Sequence, residues 1–408
     1  MTKIFDLRLF DNTNVTTDSG LTKEMRKYYE MQLIREAEPE LIHNQFGQKK
    51  PIPKGNGKTI NFRKYSSLGK ALTPLTEGVT PSGQKLNVTE VEATVNQYGR
   101  YVEISDVLMI AAIDNNLQEA TTLCASQAAK TLDTVTREVL NGGTSVQIGE
   151  SGKSARHLLV GGESSGNDYL TVNAIKKAVR NLKVQNAPKI DGYYVGIIHP
   201  DCAFDLTSDS DWKYPHQYVD TQNLYSGEIG SIAGVRFVET TEAKIFHGDN
   251  LAGTTRNLAI NCADGYSGAI TSVTFDGGTV AADALIGREI IINGVKAKVT
   301  DNTTTTITFA STNFGTVADN TVIYPGEGGA KGRDVYSTLI LGANAYGVTE
   351  IEGGGLQSIV KQLGSAGTSD PLDQRATCGW KATACAERLV EQYISRIETA
   401  STFEAGAN

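Results

Sequence analysis

The chain has 408 residues, with 38 Lys and Arg against 46 Asp and Glu, a formal net charge of −8. Hydrophobic residues make up 39%, enough for burial and too many for wholesale disorder, and the length predicts two or three domains. No run approaches the roughly 18 uninterrupted apolar residues that a membrane helix needs. The first ten residues carry charges among their apolar positions and lack a signal-peptide core. Five widely spaced Cys and five scattered His make neither a disulfide framework nor a zinc site and point to a reducing cytoplasm. Glycine, at 42 residues, is in excess.

The first predicted element is an amphipathic helix over residues 22–37. Thr22 is its cap, Met25, Leu33 and Ala37 lie near one face, and Pro39 limits its end. Residues 41–76 contain no Asp or Glu but hold Lys49, Lys50, Lys54, Lys58, Arg63, Lys64 and Lys70. Lys58-Thr-Ile-Asn-Phe-Arg-Lys-Tyr alternates as a strand does, and a second alternating run covers residues 86–104 beyond Pro74, Gly78, Pro81 and Gly83. Together these read as a long hairpin with a basic ascending limb. Those lysines form either a solvated face or a partner-binding limb, since a lone projecting hairpin has little core.

Residues 114–140 predict the longest helix, roughly 40 Å, with Leu117, Cys124, Ala128, Leu132, Val135 and Val139 as its stripe. Asp114 or Asn115 can cap its start, and Asn141-Gly142-Gly143 stops it. A second amphipathic helix spans residues 171–186 with Val172, Ile175, Val179 and Leu182 inward. Strands are expected at Tyr193-Tyr-Val-Gly-Ile-Ile-His and Gly234-Val-Arg-Phe-Val-Glu-Thr, with a helical start at Pro200. This mixture argues for an α+β domain.

Between residues 248 and 331 helical periodicity disappears and Gly, Thr, Asn and Asp dominate. Short strands, and Asn293-Gly294 between two apolar runs, predict hairpins in a small β-sandwich or barrel. The module is acidic and reads as an insertion, of the kind an exposed loop tolerates. Beyond it, Val335-Tyr-Ser-Thr-Leu-Ile-Leu, Leu356-Gln-Ser-Ile-Val-Lys and Ala376-Thr-Cys-Gly-Trp-Lys-Ala-Thr-Ala-Cys read as strands. The last is expected to be an inner strand against the long helix.

No catalytic constellation emerges. Gly149-Glu-Ser-Gly-Lys-Ser154 resembles a phosphate-binding loop, but position 147 is Gln where Gly is required, and residues 135–140 read as helix rather than strand. His43, His157, His199, His216 and His247 have no metal-ligand spacing. Cys202 near His199 has no orienting third group, and Asp205, Asp209 and Asp211 lack a calcium-loop register and read as a solvated loop. Trp212-Lys-Tyr-Pro-His-Gln-Tyr fits core packing and an inter-subunit contact equally well.

Three blocks carry a resemblance: Glu239-Thr-Thr-Glu-Ala-Lys-Ile-Phe, Val335-Tyr-Ser-Thr-Leu-Ile-Leu-Gly-Ala-Asn-Ala-Tyr-Gly-Val, and the run from Ile359 through Gly364-Ser-Ala-Gly-Thr-Ser-Asp-Pro to Thr383. With the order of elements, they resemble the major capsid proteins of tailed bacteriophages, of the Hong Kong 97 fold and the phage N-four-type coat protein family. The likeness spans the chain except residues 248–331. It implies a subunit that packs as pentamers and hexamers into an icosahedral shell around double-stranded DNA, read without sequence specificity. It further implies no cofactor, no catalytic residue and no membrane. Portal and scaffolding or cement proteins would be partners, and the virion capsid the location after synthesis in the host bacterial cytoplasm.

The expected divisions are an N-terminal arm at 1–55, an extended hairpin loop at 56–104, a peripheral domain with a spine helix at 105–164, and an axial domain at 165–247. An inserted β-rich domain at 248–331, the rest of the axial domain at 332–365 and peripheral C-terminal strands at 366–408 complete the order. The seven cations of residues 41–76 become candidate inter-subunit contacts. Another virion structural protein, of tail or decoration type, is the second reading, and a nucleotide enzyme built on residues 149–154 a distant third.

Overall fold

The computed structural model describes residues 41–55, 57–65, 68–75, 77–80, 83–111, 116–150, 152–162, 166–212, 230–248, 251, 258–278, 280–350, 355–365 and 372–404. The helix expected at residues 22–37 lies outside them. In chain order the elements begin with β1 (Gln48–Lys49), β2 (Thr59–Tyr65), β3 (Val88–Thr94), β4 (Asn96–Ser105), α1 (Asp106–Ala111), α2 (Asn116–Asn141) and β5 (Val146–Ile148). Next come α3 (Val172–Val184), β6 (Tyr194–Ile198), α4 (Pro200–Ser208), β7 (Ser231–Ile232), β8 (Val235–Glu239) and β9 (Ile245–Phe246). Then follow β10 (Leu258–Ile260), β11 (Ala269–Asp276), β12 (Glu289–Ile292), β13 (Val295–Asn302), β14 (Thr306–Asn313) and β15 (Val322–Pro325). The chain ends with β16 (Val335–Leu341), β17 (Tyr346–Thr349), β18 (Gln357–Lys361), β19 (Arg375–Arg388) and β20 (Ile394–Thr399). Two compact units result, the first from residues 1–41, 49–135 and 348–386 and the second from 42–48, 136–347 and 387–408.

In the first unit β19 is central, flanked by β18 and β4. Its alternation sends Ala376, Cys378, Trp380 and Ala382 to one face, where they join Leu117, Ala120, Cys124, Ala125, Ala128 and Leu132 of α2 in one core. Alanines on the helix bring it close to the sheet, and Trp380 Nε1 donates to Gln127 Oε1 at 3.2 Å. Glycine is required where β4 and β19 pair. A Cβ on Gly379 would lie 2.7 Å from Tyr101 Cβ, and one on Gly99 2.7 Å from the Trp380 carbonyl oxygen.

In the second unit a seven-stranded sheet runs β5-β20-β16-β6-β8-β7, with β9 also on β16. β6, β16 and β20 are buried along their whole lengths; β6 reads accordingly as an apolar run, whereas β20 carries Ser395, Arg396 and Glu398 inside. α3 lays Val172, Ile175, Val179 and Leu182 on this sheet. Its start is set by Thr171, whose hydroxyl accepts from the Ala174 N–H at 3.2 Å. Glu398 of β20 is buried and takes a paired contact from Arg156, at 2.8 and 2.7 Å.

Still within this unit, residues 258–325 close into a six-stranded barrel in the order β10-β11-β14-β13-β12-β15. Asn293 and Gly294 both have positive φ, 50° and 81°, the two-residue turn that matches strand twist and sets Ile292 opposite Val295. Ile260, Val273, Phe275, Ile290, Ile292, Val299, Ile307, Phe309 and Ile323 fill the interior. At the neck the entering and leaving chains touch, and a Cβ on Gly328 would lie 2.3 Å from Gly248 Cα. Asp334 ties that neck by accepting from the Gly248 N–H at 2.9 Å.

Several expected boundaries move. The hairpin does not extend through 104, because residues 96–105 pair with β19 rather than with β2. The break falls at Val95, which is buried and turns the strand away from the ribbon. Residues 42–48, expected in the arm, belong to the second unit, where the Tyr346 hydroxyl donates to the His43 carbonyl oxygen. Residues 136–164 join the second unit through β5, which runs parallel to β20. β20 itself pairs with β16 and so leaves the C-terminal strands expected at 366–408. Residues 348–365 belong with the first unit because β18 pairs with β19.

Candidate assembly surface

Among the described residues β2 and β3 form a two-stranded ribbon with no third strand. Register pairs Ile60 with Ala93 and Phe62 with Val91 on one face, and Asn61 with Glu92, Arg63 with Glu90 and Tyr65 with Val88 on the other. Only the base is buried: Phe62, Ala93, Val95 and Ile52 are inside. Farther out, Tyr65 and Val88 are both exposed, and burial ends. Two strands alone are marginal in water, so the ribbon stands on its base.

The segment joining the strands exposes large apolar side chains. Leu72 is 82% exposed, Leu75 77%, Leu86 67% and Val79 63%, with Leu68 also open. That many exposed aliphatic side chains within one stretch is unusual for a free subunit. Sequence reasoning missed these leucines because it weighed the charges. The sequence shows apolar residues set among Gly and Pro; that no strand of the described residues faces them emerges only from the fold.

All seven candidate cations lie on the exposed side of the chain. Lys49 ends β1, Lys54 is in a turn, Lys58 precedes β2, Lys64 lies within β2 and Lys70 lies among the exposed leucines. Two are engaged within the subunit. Arg63 Nε contacts Glu90 Oε1 at 3.1 Å across the ribbon, and Lys50 Nζ stands 5.9 Å from the Phe62 ring centre. Both contacts are exposed and worth little individually. The structure thus sets Lys58, Arg63, Lys64 and Lys70 on the ribbon or the segment joining its strands. Lys49 and Lys50 lie instead at β1, where the Lys50 N–H donates to the Val348 carbonyl at 3.2 Å; the seven do not share one limb.

The other sequence candidates are consumed by the fold. Residues 135–140 are helical as expected; a short strand, β5, intervenes before Gly149, and only a single 3-10 turn at Arg156–Leu158 follows. Lys153 Nζ is held by Asp168 and, at 2.7 Å, by the Leu158 carbonyl. His199 caps α4, its Nδ1 accepting from the Asp201 N–H at 3.2 Å, and burial lowers its pKa despite Asp201. Cys202 is wholly buried, which pushes its thiol far above the ordinary range. The Asp205, Asp209 and Asp211 trio is not one solvated loop. Asp205 is buried and binds Ser401 and Thr402, Asp209 accepts from the Val172 N–H at 3.0 Å, and Asp211 pairs with Lys176 at 3.2 Å. Trp212 is in the core against Phe237, while residues 213–218 lie outside the described residues. Among the described residues no group of three or more His, Cys, Asp or Glu can hold a metal ion, and no helix is long and apolar enough to cross a membrane.

Among the described residues, the exposed aliphatic side chains of the first unit concentrate on the β2–β3 ribbon and the segment that joins its strands. The chain belongs to the phage capsid protein family, whose model matches residues 25–362. As a tailed-phage major capsid protein it is built, in many copies, into the icosahedral shell of the virion. Its fold is similar to that in the capsid of cyanophage P-SCSP1u, at 12% identity over 88% of each chain with a TM-score of 0.51. It is likewise similar to that in the capsid of Ralstonia phage GP4, at 13% identity over 90% of each chain with a TM-score of 0.50. No curated protein matches the sequence.

Proposed function

We propose that the shell assembles from pentamers and hexamers of this chain around double-stranded DNA, and that the ribbon at residues 59–94 lies across a second copy. The observation that carries this reading is the row of exposed leucines and valine between β2 and β3. Many-copy shells need elements that reach over neighbours and bury more area than a compact patch offers. Lys49, Lys50, Lys54, Lys58, Arg63, Lys64 and Lys70 steer that contact toward acidic faces of the neighbouring copy. In this reading α2 is the spine helix, the first unit the peripheral domain and the second unit the axial domain. The barrel at 258–325 is an inserted, outward-facing decoration, because its acidic surface is repelled by packaged DNA. The subunit acts by assembly rather than catalysis, with portal and scaffolding or cement proteins as partners. It is made and assembled in the host cytoplasm.

Electron microscopy of the purified chain tests the reading: hollow, closed particles are expected. The double variant Lys64→Glu, Lys70→Glu is expected to stay a folded subunit that makes none, and normal shells from it would sink the steering role of the limb. Deleting residues 248–331 and joining the ends tests the decoration. Shells should still form, and a subunit that cannot fold overturns that assignment.

A further inference from the structure

Two thiols meet in the core between α2 and β19. Cys124 lies on the inward stripe of α2 and Cys378 on the inward row of β19, 254 positions apart in sequence and both buried. Cys124 Sγ donates toward the Cys378 carbonyl oxygen at 3.9 Å, which sets the thiol of one beside the backbone of the other. Thr121 Oγ1 stands 3.4 Å from Cys378 Sγ. Ile104, Ala125, Ala128, Val360 and Ala382 share their core cluster. Cys202, Cys262 and Cys385 bond instead to Thr399, Gly265 and Ala386.

The pair is chemically unequal. The Cys124 side chain, helped by the Thr121 hydroxyl, holds the Cys378 thiol below the ordinary range against the opposing effect of burial. The Cys378 side chain and burial together push Cys124 well above that range. Cys378 is therefore the easier of the two to ionise, the arrangement of an attacking thiol beside a resolving one.

We propose that Cys124 and Cys378 are an oxidisable pair that closes to a disulfide under peroxide, stapling α2 to the central strand of its sheet. The oxidant is hydrogen peroxide, small enough to reach a buried site through local opening. The Cys378 thiolate attacks one peroxide oxygen, the O–O bond breaks, and the leaving hydroxide takes up a proton as water. The Cys378 sulfenic acid then meets Cys124: an S–S bond forms, the S–OH bond breaks, and the Cys124 proton leaves with the hydroxyl as a second water. Two thiols lose two electrons together, and one peroxide becomes two waters. Chains made in a reducing compartment would carry the open pair, and particles released from it the closed one.

The test uses the full chain, reduced, then treated with hydrogen peroxide, quenched, denatured and alkylated. Alkylatable thiols are expected to fall from the five of the sequence to three. Peptide mass spectrometry should find the Cys124 and Cys378 peptides joined with the loss of two hydrogens, and dithiothreitol should restore all thiols. The Cys262→Ala, Cys385→Ala double variant should form the same link, its alkylatable thiols falling from three to one, which excludes a role for the two less buried thiols. In Cys124→Ala, Cys378 should be trapped as a sulfenic acid by a dimedone reagent. All five thiols still alkylating after peroxide, Cys378 passing to sulfinic acid without a link, or a link through another cysteine would each overturn the proposal. The wild-type measurement decides this even where the alanine variant folds poorly.

Discussion

The ribbon at residues 59–94 and the barrel at 258–325 are both built from short antiparallel strands, yet they solve the problem of a strand edge in opposite ways. The barrel closes on itself, so every strand has two neighbours and a shared interior of Ile, Val and Phe. The ribbon stops at two strands, buries only its base and leaves Leu72 and Leu75 almost fully exposed. Closure makes a module stable by its own contacts. Leaving a ribbon open keeps its apolar surface for another molecule, which suits a subunit that must bind copies of itself.

That contrast makes crossed predictions. Leu72→Asp with Leu75→Asp should abolish particles in electron micrographs while moving subunit stability by no more than about 0.5 kcal/mol, since neither side chain packs in the monomer. Large destabilisation of the free subunit would break the comparison. In the barrel the signs reverse. Phe309→Ala removes a ring packed edge-on against Phe314 at 5.2 Å and should cost about 3–5 kcal/mol in denaturant titration of the region. A stability loss well under 1 kcal/mol would mean that the barrel core does not hold the module together.

Two smaller effects sharpen the reference frame in the second unit. Thr171→Ala removes the cap of α3 and should cost about 1 kcal/mol. The same hydroxyl donates to Glu150 Oε2 at 2.6 Å, and bonds from Thr171 and Asn173 hold the Glu150 carboxyl below its ordinary value. Glu391 is also held low: burial alone would raise it, but the Thr144 and Ser145 N–H groups and Arg388 outweigh that. A carboxyl lowered in the folded state contributes stability that is complete above the ordinary value near 4.5 and is lost as pH falls through the folded value. Melting midpoints should therefore drop on acidification below about pH 4.5, and Glu150→Gln should flatten that slope. An unchanged slope would show that Glu150 does not contribute to it.

Local periodicity made much of the fold legible. The stripe of α2 from Leu117 to Leu132 is the buried one, and Asn293-Gly294 is the hairpin turn of the barrel. Past Leu132 the predicted stripe fails: Val135 and Val139 are only half-buried, while Thr136 and Arg137 are inside. There the surroundings of the helix change, and Arg137 finds the Glu242 carbonyl at 2.9 Å, a partner no helical period reveals. For the assembly limb, charge was readable from composition, whereas exposure of the leucines was not. Whether a Leu is core depends on what folds against it.

By itself the sequence determined the local elements and the family. Apolar spacing, caps and turn residues act within a few positions, and the long blocks around Val335 and Trp380 are specific enough to carry a resemblance. Only the tertiary structure decided partnership. β4 rather than β2 receives β19, β20 crosses to β16, Asp205 is buried under Ser401 and Thr402, and Cys124 meets Cys378. The physical reason is that alternation has the same period whichever strand lies alongside. Choice among distant partners is made by the fit of side chains that meet only when the chain has folded.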